Sequence, residues 1–222
     1  MPARTAKHSQ FATLVAEAAA CTLCPAMCEQ SAVMSKLNGP LSARVMFIGE
    51  APGRKGADRT RIPFSGDQSG KNLDRFLASI GLPRNEIFIT SAAMCNPRSA
   101  SGANRRPTTA EVLNCSGFLA RTLTLIDPEV VVTLGGVALA ALKAIAPHEL
   151  NLKDEAAKIH RWHGRMLVPL YHPSPQVLIT SRKEAAQLSD YQVVARALKL
   201  SSNNSGCQRF RGKTHKVSAT SV

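Results

Sequence analysis

The sequence has 222 residues, with 28 basic and 15 acidic side chains and a formal net charge of +13. The last 22 residues hold four basic and no acidic side chains, so the body of the chain is itself basic. This charge indicates a polyanionic partner, nucleic acid before a membrane surface, although a high isoelectric point alone also occurs in proteins without one. The sequence has no transmembrane run, and its apolar patch 11–21 is interrupted by Glu17 and short for a signal peptide. We therefore expect a cytoplasmic protein.

Hydrophobic periodicity predicts strands that alternate with helices. In chain order it predicts helix 8–20, strand 44–49, helix 70–80, strand 86–90, helix 109–126, strand 129–134, helix 135–145, strand 166–171 and helix 183–200. Such alternation predicts a parallel sheet covered on both faces. Pro169 favours a sheet edge for the fourth strand. We expect residues 1–200 to form one domain and residues 201–222 a basic, disordered tail.

The long loop 47–70, which follows the first strand, is the most informative stretch. Loops of this length inside a compact domain are uncommon unless they are functional. Glu50 opens the loop, and Ser91, Gly135 and His172 each follow a later strand. Because ligands in such sheets bind outside the carboxyl ends of the strands, we expect these four segments to meet at one cleft.

Each of the candidate side chains has a chemical and a plain structural interpretation. Glu50 could position a water molecule or stabilise a cationic transition state, or be a solvated turn residue. Phe64 could stack on a planar base or fill the core beneath the loop. His172 could donate a hydrogen bond to a leaving group or be structural. Gly135-Gly136 fits tight strand-to-helix packing better than a phosphate site.

Two pairs of cysteines have the spacing of metal ligands. Cys21 and Cys24 are separated by two residues, and Cys95 and Cys115 by nineteen. Four thiolates could bind zinc or a [4Fe–4S] cluster, whereas Cys95 and Cys115 could equally be buried as small apolar side chains. Cys28 is a further candidate ligand, and Cys207 is expected to be a free thiol.

Basic residues are concentrated in two predicted loops on either side of the cleft. They could contact phosphates or form a solvated basic face. Together with an aromatic platform they favour a single-stranded or flipped-base nucleic acid. These residues are Arg54, Lys55, Arg59, Arg61, Arg98, Arg105 and Arg106.

In combination, several short motifs resemble those of the iron–sulfur uracil-DNA glycosylases, often called family four. The motifs are Gly49-Glu50-Ala51-Pro52-Gly53, Pro63-Phe64-Ser65-Gly66, Cys95, Asn104-Arg105-Arg106-Pro107, Cys115 and Tyr171-His172-Pro173. The stretches 56–60 and 64–67 are also similar to family five, which lacks the glutamate that Glu50 matches. The resemblance extends from about Cys21 to Leu200.

The resemblance implies a three-layer α/β/α sandwich around a four-stranded parallel sheet. It implies a [4Fe–4S] cluster of structural role, with Cys21, Cys24, Cys95 and Cys115 on the family's ligand positions. It further implies a monomer that acts on DNA, associated with the nucleoid, and that removes a deaminated base in base excision repair.

The resemblance also assigns roles to residues of the cleft. Phe64 would stack on a flipped base, with Gly49 and Ala51 beside it. Glu50 would position water and support the positively charged sugar, and His172 would hydrogen-bond the base carbonyl. The DNA contacts would come from Arg59, Arg105, Ser174 and Val177, with Val177 or Leu178 filling the vacated stack. No lysine occupies a motif position, so a monofunctional enzyme without lyase activity is expected.

One position departs from the family pattern and leaves the substrate open. Ser91 stands where the family usually has an asparagine, whose amide can both accept from and donate to uracil. Loss of one such contact costs about 1–3 kcal/mol. The alternatives to uracil removal are a glycosylase for hypoxanthine or xanthine, and a non-catalytic protein that binds damaged or single-stranded DNA.

Overall fold

The computed structural model describes residues 2–27 and 31–211. Cys28 and residues 212–222 lie outside the described residues, as does the side chain of Cys207. The predictions made for these positions therefore stay predictions. Within the described residues, no helix is both long and apolar enough to cross a membrane.

Five strands form one sheet at the centre of the molecule. They are β1 (Val45–Gly49), β2 (Ile87–Ser91), β3 (Val130–Leu134), β4 (His160–Trp162) and β5 (Arg165–Leu170). Their order is β2-β1-β3-β5-β4, with β4 antiparallel and the other four strands parallel. The four predicted parallel strands are confirmed. The prediction missed β4, because a three-residue strand is too short to show an alternating pattern.

The α-helices that connect and flank these strands range in length from 4 to 28 residues. They are α1 (Pro2–Ala19), α2 (Ala57–Thr60), α3 (Gln68–Ala78), α4 (Thr109–Ile126), α5 (Gly136–Ala141), α6 (Leu152–Glu155), α7 (Pro175–Thr180) and α8 (Glu184–Arg211). The bounds of α4 match the prediction, and its capping box between Thr108 and Glu111 is present. Helix α8 extends to Arg211, beyond the predicted end at Leu200. The domain boundary at residue 200 stays a prediction.

Helices cover both faces of the sheet, so the predicted three layers are confirmed. One core joins α1, α4 and α5 to residues such as Met46 and Ile48, and the other joins α3 and α8 to Val45 and Phe47. Neighbouring residues of β1 therefore point into different cores, as alternation along a strand requires. All five β1 residues are buried, which explains why the strand reads as a continuous apolar run.

Pro169 lies within β5, next to β3 and close to the edge of the sheet. On one side β5 pairs with β3 along its length. On the other side β4 pairs only with residues 165–167, so no strand of the described residues lies beside Pro169 there. The Pro169 carbonyl there accepts a hydrogen bond from the Ala157 amide at 2.8 Å. The predicted edge position is therefore correct locally, although β5 as a whole is an inner strand.

Candidate active site

A cleft of about 360 Å³ opens at the carboxyl ends of the parallel strands. Glu50 and His172, which follow β1 and β5, and Ser91, the last residue of β2, all line it. Gly135, which follows β3, lies behind His172, since a Cβ atom on Gly135 would lie 3.5 Å from the His172 Cβ. The predicted meeting is confirmed for Glu50, Ser91 and His172, whereas Gly135 supports His172 from behind and does not line the cleft.

Asp67 organises the loop that follows β1, and sequence reasoning did not assign it a role. It caps α3, because its Oδ1 accepts a hydrogen bond from the Gly70 amide at 2.9 Å. Its Oδ2 faces the start of the loop, where a Cβ atom on Gly56 would lie only 2.1 Å away. The loop therefore folds around this carboxylate. An Asp directly before a helix was the available signal.

Phe64 forms one wall of the cleft. Its ring lies so close to the end of β1 that a Cβ atom on Gly49 would lie 2.7 Å from it. On the other side, its centroid is 5.5 Å from that of the His172 ring. Phe64 adopts a φ of 50°, and Arg84 donates a hydrogen bond to its carbonyl. The ring is half-buried against the core, as the structural interpretation expects, and stacking on a base stays a prediction.

The two predicted catalytic groups are both influenced by burial. Burial raises the pKa of the Glu50 carboxyl, and the positive charge of Arg106 partly offsets this. Burial lowers the pKa of His172 to about 4, with the Asp67 carboxylate opposing the shift. At neutral pH His172 is therefore an uncharged imidazole that can donate one hydrogen bond. Groups with such environments in a cleft are typical of functional sites.

Two asparagines tie the Glu50 loop to the loop after β2. The buried Asn96 donates to the Pro52 carbonyl at 2.6 Å and to Asn104 Oδ1 at 3.0 Å. Asn104 Oδ1 also accepts from the Arg54 amide at 2.9 Å. These contacts hold the backbone just after Glu50. Sequence reasoning missed Asn96 and used Asn104 only as part of a motif.

The predicted basic loops divide into structural and exposed cations. Arg98 donates to the Asp58 carboxylate at 2.5 Å and to Asn96 at 2.7 Å. Arg105 forms a two-bond ion pair with Glu111, at 2.8 and 2.5 Å, and also bonds the Arg98 carbonyl. Arg105 lines the cleft, but its guanidinium is already hydrogen-bonded to Glu111 and to the Arg98 carbonyl.

The exposed cations lie around the cleft. Arg59 is exposed in α2, and no ion pair is formed by it among the described residues. Arg54, Lys55 and Arg106 are likewise exposed. Arg61, in contrast, bonds the carbonyls of Ser31 and Ala32.

The segment after His172 forms α7, a short helix that was not predicted. Ser174 caps it, and its Oγ accepts from the Val177 amide at 3.4 Å. Ser174 and Val177 both line the cleft. Leu178 packs against the core, whereas Ile179 is 78% exposed.

The four predicted cysteine ligands approach one another from three segments of the chain. Burial raises the pKa of the Cys95 thiol to about 12, and the charges of Cys115, Cys21 and Cys24 add to the shift. Asn114 Nδ2 lies 3.4 Å from the Cys24 Sγ. The described residues form no group of three or more side chains with the geometry of a metal site. As a donor set, the thiols of these four cysteines match the ligand chemistry of an iron–sulfur cluster.

The fold and cleft define an α/β enzyme-like protein with an acid, a neutral imidazole and an aromatic wall at one sheet edge. The Uracil DNA glycosylase superfamily matches residues 37–194. The chain belongs to this superfamily.

Relatives of two types are similar to the chain. The type-4 uracil-DNA glycosylase of Archaeoglobus fulgidus is 36% identical over 141 residues, 61% of this chain and 68% of the relative. The type-4 enzyme of Thermotoga maritima is 31% identical over 155 residues, 69% of this chain and 76% of the relative. The type-5 uracil-DNA glycosylase of Pyrobaculum aerophilum is 32% identical over 183 residues, 76% of this chain and 75% of the relative. The predicted mixture of family-four and family-five features is confirmed.

Proposed function

We propose that the protein is a monofunctional DNA repair glycosylase that removes uracil from DNA and leaves an abasic site. The observation that carries the proposal is the single cleft that brings Glu50, Phe64 and His172 together. The names of the relatives support uracil as the base, and they support neither of the alternatives left open by the sequence. We further propose that it acts as a monomer on DNA, in the cytoplasm.

The cleft geometry suggests how the N-glycosidic bond is hydrolysed. The flipped base stacks on Phe64, beside Gly49 and Ala51. As the bond between the sugar C1′ and the base nitrogen breaks, its electron pair leaves with the base. Neutral His172 donates a hydrogen bond to the base carbonyl that gains negative charge. Water then forms a bond to C1′, and the Glu50 carboxylate orients it and accepts its proton.

Ser91 bears on how tightly uracil is held. It lines the cleft, and its Oγ would lie 3.6 Å from a Cβ atom on Gly49. Its hydroxyl can contact one polar group of the base edge, where an amide would contact two. We expect Ser91→Asn to strengthen the selection of uracil, with a gain of about tenfold in binding from one added contact.

DNA is expected to lie across the exposed cations and α7. Arg59 would contact phosphate, Ser174 would contact the backbone, and Val177 would contact the flipped nucleotide from the cleft. Arg105 can contribute only with atoms left free by its pair with Glu111. Ile179 is the better candidate than Leu178 for the side chain that enters the base stack, because it is an exposed large apolar side chain.

We also propose that Cys21, Cys24, Cys95 and Cys115 bind a [4Fe–4S] cluster. Such a cluster would supply a covalent link between the segment after α1, the loop after β2 and helix α4. It would have a structural role and take no part in the hydrolysis. Iron and sulfide analysis with visible absorption would test this, and Cys24→Ser should lower both contents. An unchanged content in that variant would exclude Cys24 as a ligand.

The test of function is base release from labelled oligonucleotides that carry uracil, hypoxanthine or xanthine, followed by alkaline cleavage. We expect cleavage at uracil in single- and double-stranded substrates. Release of only another base would overturn the choice of uracil. No release from any substrate by the folded protein would favour the non-catalytic DNA-binding alternative.

A further inference from the structure

The turn that carries His172 is held from below by two buried side-chain amides. Strand β5 ends at Leu170, and the chain then turns through His172 and Pro173 into α7. The carbonyl of Pro173 accepts a hydrogen bond from Asn72 Nδ2 at 2.8 Å. The carbonyl of His172 accepts one from Gln187 Nε2 at 3.3 Å. Asn72 lies on α3 and Gln187 on α8, so two different helices hold two consecutive peptide groups.

Gln187 contacts both ends of the segment 172–182. Its Nε2 also donates to the Arg182 carbonyl at 3.4 Å. Arg182 is itself fixed, because its guanidinium forms two hydrogen bonds with the buried Asp190 carboxylate, at 2.9 and 2.6 Å. One amide group therefore joins the start and the end of the segment that includes His172, Ser174 and α7.

The orientation of the Gln187 amide follows from its partners. Both partners are carbonyl oxygens, which only accept, so the amide nitrogen must face them. Gln187 is 1% exposed, and its Oε1 has no hydrogen-bond partner in the part of the chain that the structure describes. An unpaired buried carbonyl destabilises the folded state. The hydrogen bonds of this amide among the described residues are therefore made by its donor alone.

Asn72 belongs to a second chain of contacts between the same two helices. Its Oδ1 accepts from Gln68 at 3.0 Å and from Arg75 at 3.3 Å. Arg75 in turn pairs with Glu184 in the first turn of α8, at 3.0 Å. Asn72 is 2% exposed. The position of the His172 turn is thus coupled to the packing of α3 against α8.

We propose that Gln187 and Asn72 are positioning residues for catalysis, and that they set the place of the His172 ring and of α7 relative to Phe64. Neither amide lines the cleft, so neither is expected to contact the substrate. They act through the backbone of His172 and Pro173. This inference depends on the proposed glycosylase function.

The test is Gln187→Met, which keeps the length of the side chain and removes both the donor and the unpaired carbonyl. We expect the single-turnover rate of uracil release to fall about tenfold, because the His172 ring is still present but its hydrogen bond to the base is weakened by displacement. Affinity for uracil-containing DNA should fall by about twofold, less than the rate, because a shift of α7 weakens DNA contacts whereas the shift of His172 acts on the reacting base. The midpoint of thermal unfolding should fall by a few degrees at most, because one unpaired carbonyl is removed while the carbonyls of His172 and Arg182 lose a donor.

The matched control is Gln192→Met, on the same helix. Gln192 Nε2 also bonds a backbone carbonyl at 3.3 Å, but that carbonyl belongs to Ser79 at the end of α3. This variant should keep the wild-type rate. Asn72→Leu removes the second donor, and its effect combined with Gln187→Met should be less than additive, because both amides hold the same turn.

The outcomes separate this inference from the proposed function. If wild-type protein releases no uracil, the proposed function is wrong. If wild type is active and Gln187→Met has the same rate as Gln192→Met, the positioning role is wrong. A fall in rate that disappears when variant and wild type are each assayed at the same interval below their unfolding midpoints would mean that Gln187 is only structural. Should Gln187→Met fail to fold, Asn72→Leu is measured by the same two readouts.

Discussion

The cleft and the ion-paired loop beside it use charge in opposite ways. In the cleft, Glu50 has no side-chain hydrogen bond among the described residues, and burial raises the pKa of its carboxyl. In the neighbouring loop, Arg105 pairs with Glu111 and holds the pKa of that carboxyl down at about 2. The paired glutamate is fixed in its charged form and contributes stability. The unpaired one keeps its lone pairs available for water or substrate, at a cost in stability.

The largest effect should come from removing the unpaired carboxylate. Glu50→Gln should lower the single-turnover rate of uracil release by roughly 10²–10⁴-fold, the usual contribution of a positioned acid or base. Stability should stay the same or rise, because a buried charge is replaced by a neutral amide. Rapid-quench assays and thermal unfolding measure the two quantities. The exposed Glu86 provides the control Glu86→Gln, and a wild-type rate in Glu50→Gln would show that Glu50 has another role.

The second effect concerns His172, whose neutral form the cleft enforces. His172→Leu should lower the rate by about 10²-fold, since one donor to the developing charge is lost.

Wild-type stability should fall as pH falls from about 6.5 to about 4, because the unfolded state takes up a proton before the folded state does. The full difference is about 3 kcal/mol. Urea unfolding across this range should show a weaker pH dependence in His172→Leu than in wild type. Equal slopes in the two proteins would contradict a buried, neutral His172.

Much of the frame was predictable from the sequence because its signals are local. The apolar run of β1 and the capping box of α4 each lie within a few residues, and both elements appear where predicted. The pairing of Arg98 with Asp58 joins residues forty positions apart, and the sequence around neither residue indicates it. Arg105 was assigned to DNA because it is a basic side chain in a predicted loop. Nothing in the sequence indicates that it pairs with Glu111 in the first turn of α4.

The third effect tests the paired side of the comparison. Arg105→Ala leaves Glu111 without its main partner and should destabilise the fold by about 2–3 kcal/mol at neutral pH. Because the pKa of Glu111 is lowered to about 2, this stabilisation is present above about pH 4.5 and is lost as pH falls toward 2. Urea unfolding of wild type and variant should therefore converge at low pH. A constant difference at all pH values would mean that the pair contributes by packing alone.

The smallest effect should come from an exposed cation. Arg59→Ala should weaken DNA binding by roughly twofold to fivefold, the range of an exposed charge pair, and lower the salt dependence by about one phosphate contact. Stability should not change. Arg161→Ala removes the same charge from β4, at the edge of the sheet away from β2, and serves as the control. Equal loss of affinity in both variants would point to net charge instead of a local contact.

The close packing around Phe64 also bears on how the substrate range of this fold can change in evolution. A side chain at Gly49 would meet the ring, and one at Gly70 would lie 2.1 Å from the Phe64 carbonyl oxygen. Both glycines are therefore closed to single substitutions, so this wall of the cleft cannot be remodelled by small steps. Ser91 and Val177 line the same cleft without such constraints. New base preferences are then expected to arise by substitution of Ser91 or Val177, while the position of the Phe64 ring stays unchanged.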